Sequence, residues 1–98
     1  MPKHYVWVEA TVADREKMKP YGEKVGATVA KYGGRYIIRN GAFDILEGGA
    51  GEHKGKVLIE FPSREAALTW WNSPEYREIS IIRQANSRGN FVLVEGKE

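Results

Sequence analysis

Glu9 and Glu60 are the residues of this 98-residue chain whose types and placement best suit proton transfer. Each falls near the carboxyl end of a segment with strand periodicity, on the same expected face. Two carboxylates sharing a partly buried site push at least one pKa upward, which acid/base work near neutral pH requires. An arginine held between them is the plainer alternative, and on that reading both are structural charges. Arg39, on a neighbouring strand pattern, and Arg83, on the last helix pattern, are the expected partners. Either is equally suited to an anionic substrate, because a guanidinium offers a planar fork of donors to a carboxylate. Tyr21, Tyr32, Trp70, Trp71 and Tyr76 concentrate rings where helices must meet a sheet. Core packing explains them first, and a ligand cavity with polar tips second. The candidate catalytic residues are thus Glu9 and Glu60, and the candidate substrate-binding residues are Tyr21, Arg39, Trp70, Tyr76 and Arg83.

Composition removes several other chemistries. With no cysteine, the chain has no disulfide, thiolate nucleophile or cysteine-ligated metal. His4 and His53 are the only histidines, one near the chain end and one in a loop, neither at metal-ligand spacing from a carboxylate. No metal and no cofactor is expected. Fifteen basic residues against 13 acidic, spread along the chain, give a formal charge of +2, so neither nucleic acid nor membrane is an expected partner. The glycine-rich stretch Gly48 to Gly55 joins two strand patterns and lacks the Gly-Lys-Ser/Thr ending of a phosphate loop, so it reads as a mobile hairpin loop. No apolar leader precedes the first strand pattern, which reads as a cytoplasmic protein.

The elements that must position these residues are well punctuated. His4 to Val12 alternates as a strand, and Asp14 caps a helix whose stripe is Met18, Tyr21, Val25, Val29 and Tyr32. Pro20 is expected to kink that helix or split off its opening turn, and Gly22 and Gly26 to allow close packing on the sheet. Gly33-Gly34 ends it. Arg35 to Glu47 reads as a second strand, with Asn40-Gly41 as a turn or bulge, and Lys56 to Phe61 as a third. Ser63 caps one helix and Ser73-Pro74-Glu75 opens another. Asn86 to Asn90 is expected to turn into a final strand, Phe91 to Glu95.

The order βαββαβ specifies an α+β ferredoxin-like plait, a four-stranded antiparallel sheet with helices on one face, filling residues 1–98 as one domain. The first and third strands are expected in the middle, running parallel, which brings Glu9 and Glu60 side by side and sends Glu95 to the opposite end. The helices are expected over Val6, Val8, Val57, Ile59, Val92 and Val94. Tyr5, Trp7, Leu58, Phe91 and Leu93 are left on the other face, where five apolar residues call for a second sheet. A homodimer through that open face is expected.

Lys31-Tyr32-Gly33-Gly34-Arg35, Leu46-Glu47-Gly48, Ile59-Glu60-Phe61-Pro62-Ser63-Arg64-Glu65-Ala66, Trp70-Trp71-Asn72-Ser73-Pro74-Glu75-Tyr76 and Leu93-Val94-Glu95-Gly96 together resemble the bacterial DUF1330 proteins over essentially the whole chain. The resemblance implies a dimeric α/β barrel in which two ferredoxin-like sheets close face to face. It implies no particular reaction, since relatives in the wider superfamily include cofactor-independent monooxygenases, haem enzymes and muconolactone isomerase-like enzymes.

Two functional classes are compatible with these features. One is a dimer that binds a small acidic or aromatic molecule and could act as a cofactor-independent enzyme, with a non-catalytic dimer that only binds or stabilises a partner as a separate alternative. The other is an RNA-binding module, since Lys54-Gly55-Lys56-Val57-Leu58-Ile59-Glu60-Phe61 faintly resembles an RNA-recognition signature. Lys56 and Leu58 stand where that signature needs stacking rings, which disfavours it.

Overall fold

A computed structural model describes residues 2–97. Four strands and three helices follow one another as β1 (His4–Val12), α1 (Arg15–Lys31), β2 (Arg35–Arg39), β3 (Gly55–Phe61), α2 (Arg64–Trp71), α3 (Pro74–Asn86) and β4 (Ser87–Glu95). Each helix is started by the residue expected to cap it. Asp14 Oδ1 accepts from the Lys17 amide at 3.1 Å, Ser63 Oγ from Ala66 and Ser73 Oγ from Tyr76, also at 3.1 Å. Each cap satisfies a first-turn donor that the helix itself leaves unpaired. Of the two outcomes expected at Pro20, the splitting off of an opening turn does not occur, since α1 runs unbroken from Arg15 to Lys31. The ring is exposed, and the bond it withholds frees only a carbonyl that water can reach.

The sheet order is β2-β3-β1-β4, and every neighbouring pair is antiparallel. The four-stranded antiparallel plait stands, while the expected parallel run of the two central strands does not. β1 and β2 lie on either side of β3, and the return from β2 reverses β3 against both. In register, Glu9 is opposite Lys56 and Glu60 is opposite Tyr5. Glu9 and Glu60 therefore lie four register positions apart, roughly 13 Å along the strands. Glu95, opposite His4, shares Glu60's end of the sheet.

Register also assigns the faces, because residues directly opposite in an antiparallel pair point the same way. Val6 and Val8 pair with Ile59 and Val57 on one side and with Leu93 and Phe91 on the other, and this is the face the helices cover. Trp7 pairs with Leu58 and Val92, and Tyr5 with Val94, on the open face. The expected phase of β4 is thus reversed, with Phe91 and Leu93 under the helices and Val92 and Val94 outside at 49% and 46% exposure. No turn separates α3 from β4. Ser87 closes the helix, its amide donating to the Arg83 carbonyl, and pairs at once with Val12.

β2 stops at Arg39, with its irregularity between Tyr36 and Ile38 and not at Asn40-Gly41. Asn40, at φ 55°, makes one last bond to the Lys56 carbonyl. β3 begins at Gly55, so residues 41–54 have no strand to pair with and form no regular structure. Gly34 marks a close approach, since a Cβ there would lie 2.6 Å from the Phe61 ring.

Candidate functional site

A cavity of about 760 Å³ opens between the sheet and α1, within the range of small-molecule sites. Its floor is Val8, Val57, Ile59 and Phe91 from the helix-covered face of the sheet. Its roof is Met18, Tyr21, Gly22 and Val25, one stripe of α1. Gly22 and Gly26 do not draw the helix onto the sheet. A Cβ at Gly22 would meet nothing within 4 Å, and one at Gly26 would meet only Arg39 Nη1 at 3.8 Å. The glycines leave room beside α1 that the Arg39 guanidinium uses, with Nη2 donating to the Gly22 carbonyl at 3.0 Å.

Charge around the cavity is one-sided. Arg15, Lys19, Arg39, Lys54 and Arg83 line it with a single carboxylate, Glu52, which pairs with Arg88 at 3.1 Å. Arg39 lies over the Tyr36 ring at 4.5 Å and Arg83 over Phe91 at 4.3 Å. Among the described residues neither Arg39 nor Arg83 has a carboxylate partner. Two permanently charged groups held against rings, without a counter-ion, favour an anion in the space between sheet and helix. Burial raises the pKa of Tyr21, with the nearby Tyr76 adding to it, and burial likewise raises that of Tyr36. Both phenols stay neutral donors.

The structure sorts the expected site residues. Tyr21, Arg39 and Arg83 line the cavity. Tyr76 does not line it: fully buried, it stands behind the wall, its hydroxyl 3.0 Å from that of Tyr21 and 3.1 Å from Arg83 Nε, so its expected place in the cavity is corrected to one behind two residues that do line it. Trp70 is a correction. It is 0% exposed, 4.3 Å from the Tyr76 ring and 5.4 Å from Phe61, with Nε1 donating to Thr28 Oγ1, and it belongs to the core. Trp71, its neighbour around the helix, is half-buried against Phe91 and Tyr76.

Glu9 and Glu60 form no pair and stand outside the cavity on the open face. Lys56 Nζ donates to Glu9 Oε2 and Trp7 Nε1 to Glu9 Oε1, and the lysine contact chiefly holds Glu9 below the usual carboxylate range. Glu60 lies between Lys3 Nζ at 2.7 Å and Arg35 Nε at 2.8 Å, and Lys3 chiefly lowers its pKa. A general acid at neutral pH needs a shift in the other direction. The partners are not the expected Arg39 and Arg83, because those project to the helix side of the sheet.

Met18, Tyr36, Lys19 and Lys54 are cavity residues that sequence reasoning did not single out. Tyr36 had a signal, being the large residue of β2 that pairs opposite Ile59. The two histidines are separated. His4 Nδ1 is 3.2 Å from the Pro2 carbonyl, and His53 Nδ1 is 2.8 Å from Thr11 Oγ1. Among the described residues no group of three His, Asp or Glu side chains is placed to hold a metal ion, and no helix is long and apolar enough to cross a membrane.

Residues 3–97 match DUF1330, a domain of unknown function. No curated protein matches the chain. Among solved structures, a protein of unknown function from Rhodopseudomonas palustris superposes with a TM-score of 0.79 at 20% identity, over 99% of this chain and 84% of that one. Its methylated form gives 0.79 at 21% identity, over 99% and 82%. SnoaB, a cofactor-independent oxygenase from Streptomyces nogalater, superposes with a TM-score of 0.68 at 13% identity, over 100% of this chain and 96% of that one. At these identities the likeness establishes the fold alone, the ferredoxin-like plait.

Proposed function

The chain belongs to the DUF1330 family, whose domain has no assigned function, and on that premise we propose that it is a homodimer that binds a small organic anion with an apolar or aromatic body in the cavity under α1. The observation that carries this reading is the pair Arg39 and Arg83, on a cavity floored by Val8, Val57, Ile59 and Phe91 and without carboxylate partners among the described residues. Guanidinium groups supply the charge recognition and the floor supplies the burial. Calorimetry with 2-naphthoate and its methyl ester tests it. The acid is expected to bind at least tenfold tighter than the ester, and Arg39→Gln and Arg83→Gln each to remove most of that preference. Equal binding of acid and ester, or of neither, contradicts the reading.

A binding role is favoured over catalysis because Glu9 and Glu60, the expected acid/base pair, are ion-paired away from the cavity. SnoaB supplies a precedent for cofactor-independent oxygenase chemistry on this fold only at the level of architecture.

The open sheet face supports the dimer. Tyr5, Trp7, Leu58, Val92 and Val94 share that face, extended by Ile38 at 37% exposure. The Lys56 ammonium already engages Glu9 and the Ala50 and His53 carbonyls, which leaves the same face poorly suited to RNA phosphates. Trp7→Glu would set a carboxylate beside Glu9 within the interface, where an unpaired charge is strongly disfavoured. Light scattering is expected to give a dimer mass for the parent chain and a monomer mass for Trp7→Glu. A monomeric parent at micromolar concentration overturns the dimer.

A further inference from the structure

Behind the cavity wall a directional hydrogen-bond relay joins two lining residues, Arg83 and Tyr21, through the buried Tyr76, and its use in ligand recognition rests on the binding role proposed for this site. Arg83 Nε, the Tyr76 hydroxyl and the Tyr21 hydroxyl stand in a row, separated by 3.1 Å and 3.0 Å. A guanidinium nitrogen only donates, so the Tyr76 oxygen accepts from Arg83. Tyr76 is 0% exposed, and among the described residues its hydroxyl has no hydrogen-bond partner besides Arg83 and Tyr21. Its own hydrogen therefore goes to the Tyr21 oxygen. The reverse arrangement would bury an O–H with no acceptor, which costs more than a normal hydrogen bond returns. With its oxygen accepting from Tyr76, Tyr21 carries its own hydrogen on the side away from Tyr76, and Tyr21 lines the cavity. The positive charge at the head of the row polarises both hydroxyls in the same sense and strengthens the last donor.

We infer that Tyr21 is an oriented donor to an oxyanion of the ligand, that the ligand class is a phenolate, enolate or carboxylate carried on a flat apolar body, and that Tyr76 is the positioning residue that aims Tyr21. Neutral Tyr21 complements Arg39. The hydroxyl fixes where one anionic oxygen sits, and the guanidinium supplies charge without defining that point. A ligand whose oxygen is capped by a methyl group has nothing to accept the Tyr21 hydrogen, and a site built around a buried donor discriminates strongly against such an analogue.

The test uses 4-nitrophenolate and 4-nitroanisole, the same ring with the oxygen ionised or methylated, in calorimetric titration of the full chain. The wild type is expected to bind the phenolate about tenfold or more tighter than the ether, as a hydrogen bond to a charged group implies. Tyr21→Phe should remove most of that ratio. Tyr76→Phe keeps the buried ring and should lower phenolate affinity by about threefold to tenfold while leaving the ether unchanged. Absorbance supplies a second readout, with the pKa of bound 4-nitrophenol expected to fall by about one unit in the wild type and by less in either variant. Equal weakening of both probes in Tyr76→Phe would make Tyr76 a structural residue and overturn the relay. Equal binding of both probes by the wild type would overturn the oriented donor while leaving the cavity as a binding site. Binding of neither would overturn the binding role and the relay together.

Discussion

At the Phe61 end of the helix-covered face, Phe61, Trp70 and Tyr76 are all 0% exposed, with Trp70 ring centroids 5.4 Å from Phe61 and 4.3 Å from Tyr76. At the Gly55 end, the same face carries Val8 and Val57 beneath Gly22 and Gly26 of α1, and the space between is a 760 Å³ cavity rimmed by cations. One sheet face thus has a solid half and a hollow half. Both α2 and α3 bring rings down onto the first, whereas α1, carrying glycines, roofs the second and α3 adds only Arg83 to its wall. Aromatic volume fills the layer in one half, and a cavity opens where side-chain volume has been withheld in the other.

The largest effect should come from hollowing the solid half. Trp70→Ala is expected to cost about 3–5 kcal/mol, from lost burial and an unrelaxed void, and chemical denaturation would measure it. A loss under about 1 kcal/mol would mean that this half is not close-packed. A smaller loss, about 1–3 kcal/mol, is expected for Gly34→Ala, whose new methyl would lie 2.6 Å from the Phe61 ring and 2.8 Å from Val29 Cγ1. The opposite sign is expected in the hollow half. Gly22→Ala meets nothing within 4 Å and should stabilise α1 by about 0.5–1 kcal/mol through helix propensity. Should Gly22→Ala destabilise the chain, the roof of the cavity is tighter than a hollow half allows.

A pH prediction concerns the staple between α1 and α3 at the solid end. Lys31 and the Tyr32 hydroxyl both donate to Glu75, and Lys31 chiefly lowers the Glu75 pKa to about 2. Because the folded pKa lies below the unfolded one, the unfolded chain takes up the proton first. The contribution is fully present above the ordinary glutamate pKa of about 4.3 and is lost as pH falls toward 2. Glu75→Gln should therefore lower stability at neutral pH and flatten its decline between about pH 4 and 2. An unchanged acid limb would show the three groups to be independent.

Legibility followed how local the determinant was. Asp14, Ser63 and Ser73-Pro74 announced their helices because a cap acts within one turn, and β1 was readable because its alternation is sustained from His4 to Val12. β4 was not, since both of its phases are apolar, Phe91 and Leu93 against Val92 and Val94, and only the register with β1 assigns them a face. Residues 41–47 looked like strand by composition and are irregular because no partner strand reaches them. The cavity was half legible. Tyr21, Arg39 and Arg83 stand out in the sequence and do line it, but Glu9 and Glu60 were joined by a strand direction that the β2–β3 return forbids. Trp70 was separated from the site by a rotation of α2 that no short pattern reveals. Gly22 and Gly26 were visible as small residues, while their consequence, space beside α1 that the Arg39 guanidinium uses, depends on the distance between helix and sheet.

The hollow half is a ligand site only if an aromatic acid binds there, and a crystal structure of the protein grown with 2-naphthoate decides it. The carboxylate is expected within hydrogen-bond distance of the Tyr21 hydroxyl and of Arg39 or Arg83, with the naphthyl ring over Val8, Val57 and Phe91. A ligand seated on the open sheet face, or a cavity that stays empty at saturating 2-naphthoate, would contradict it.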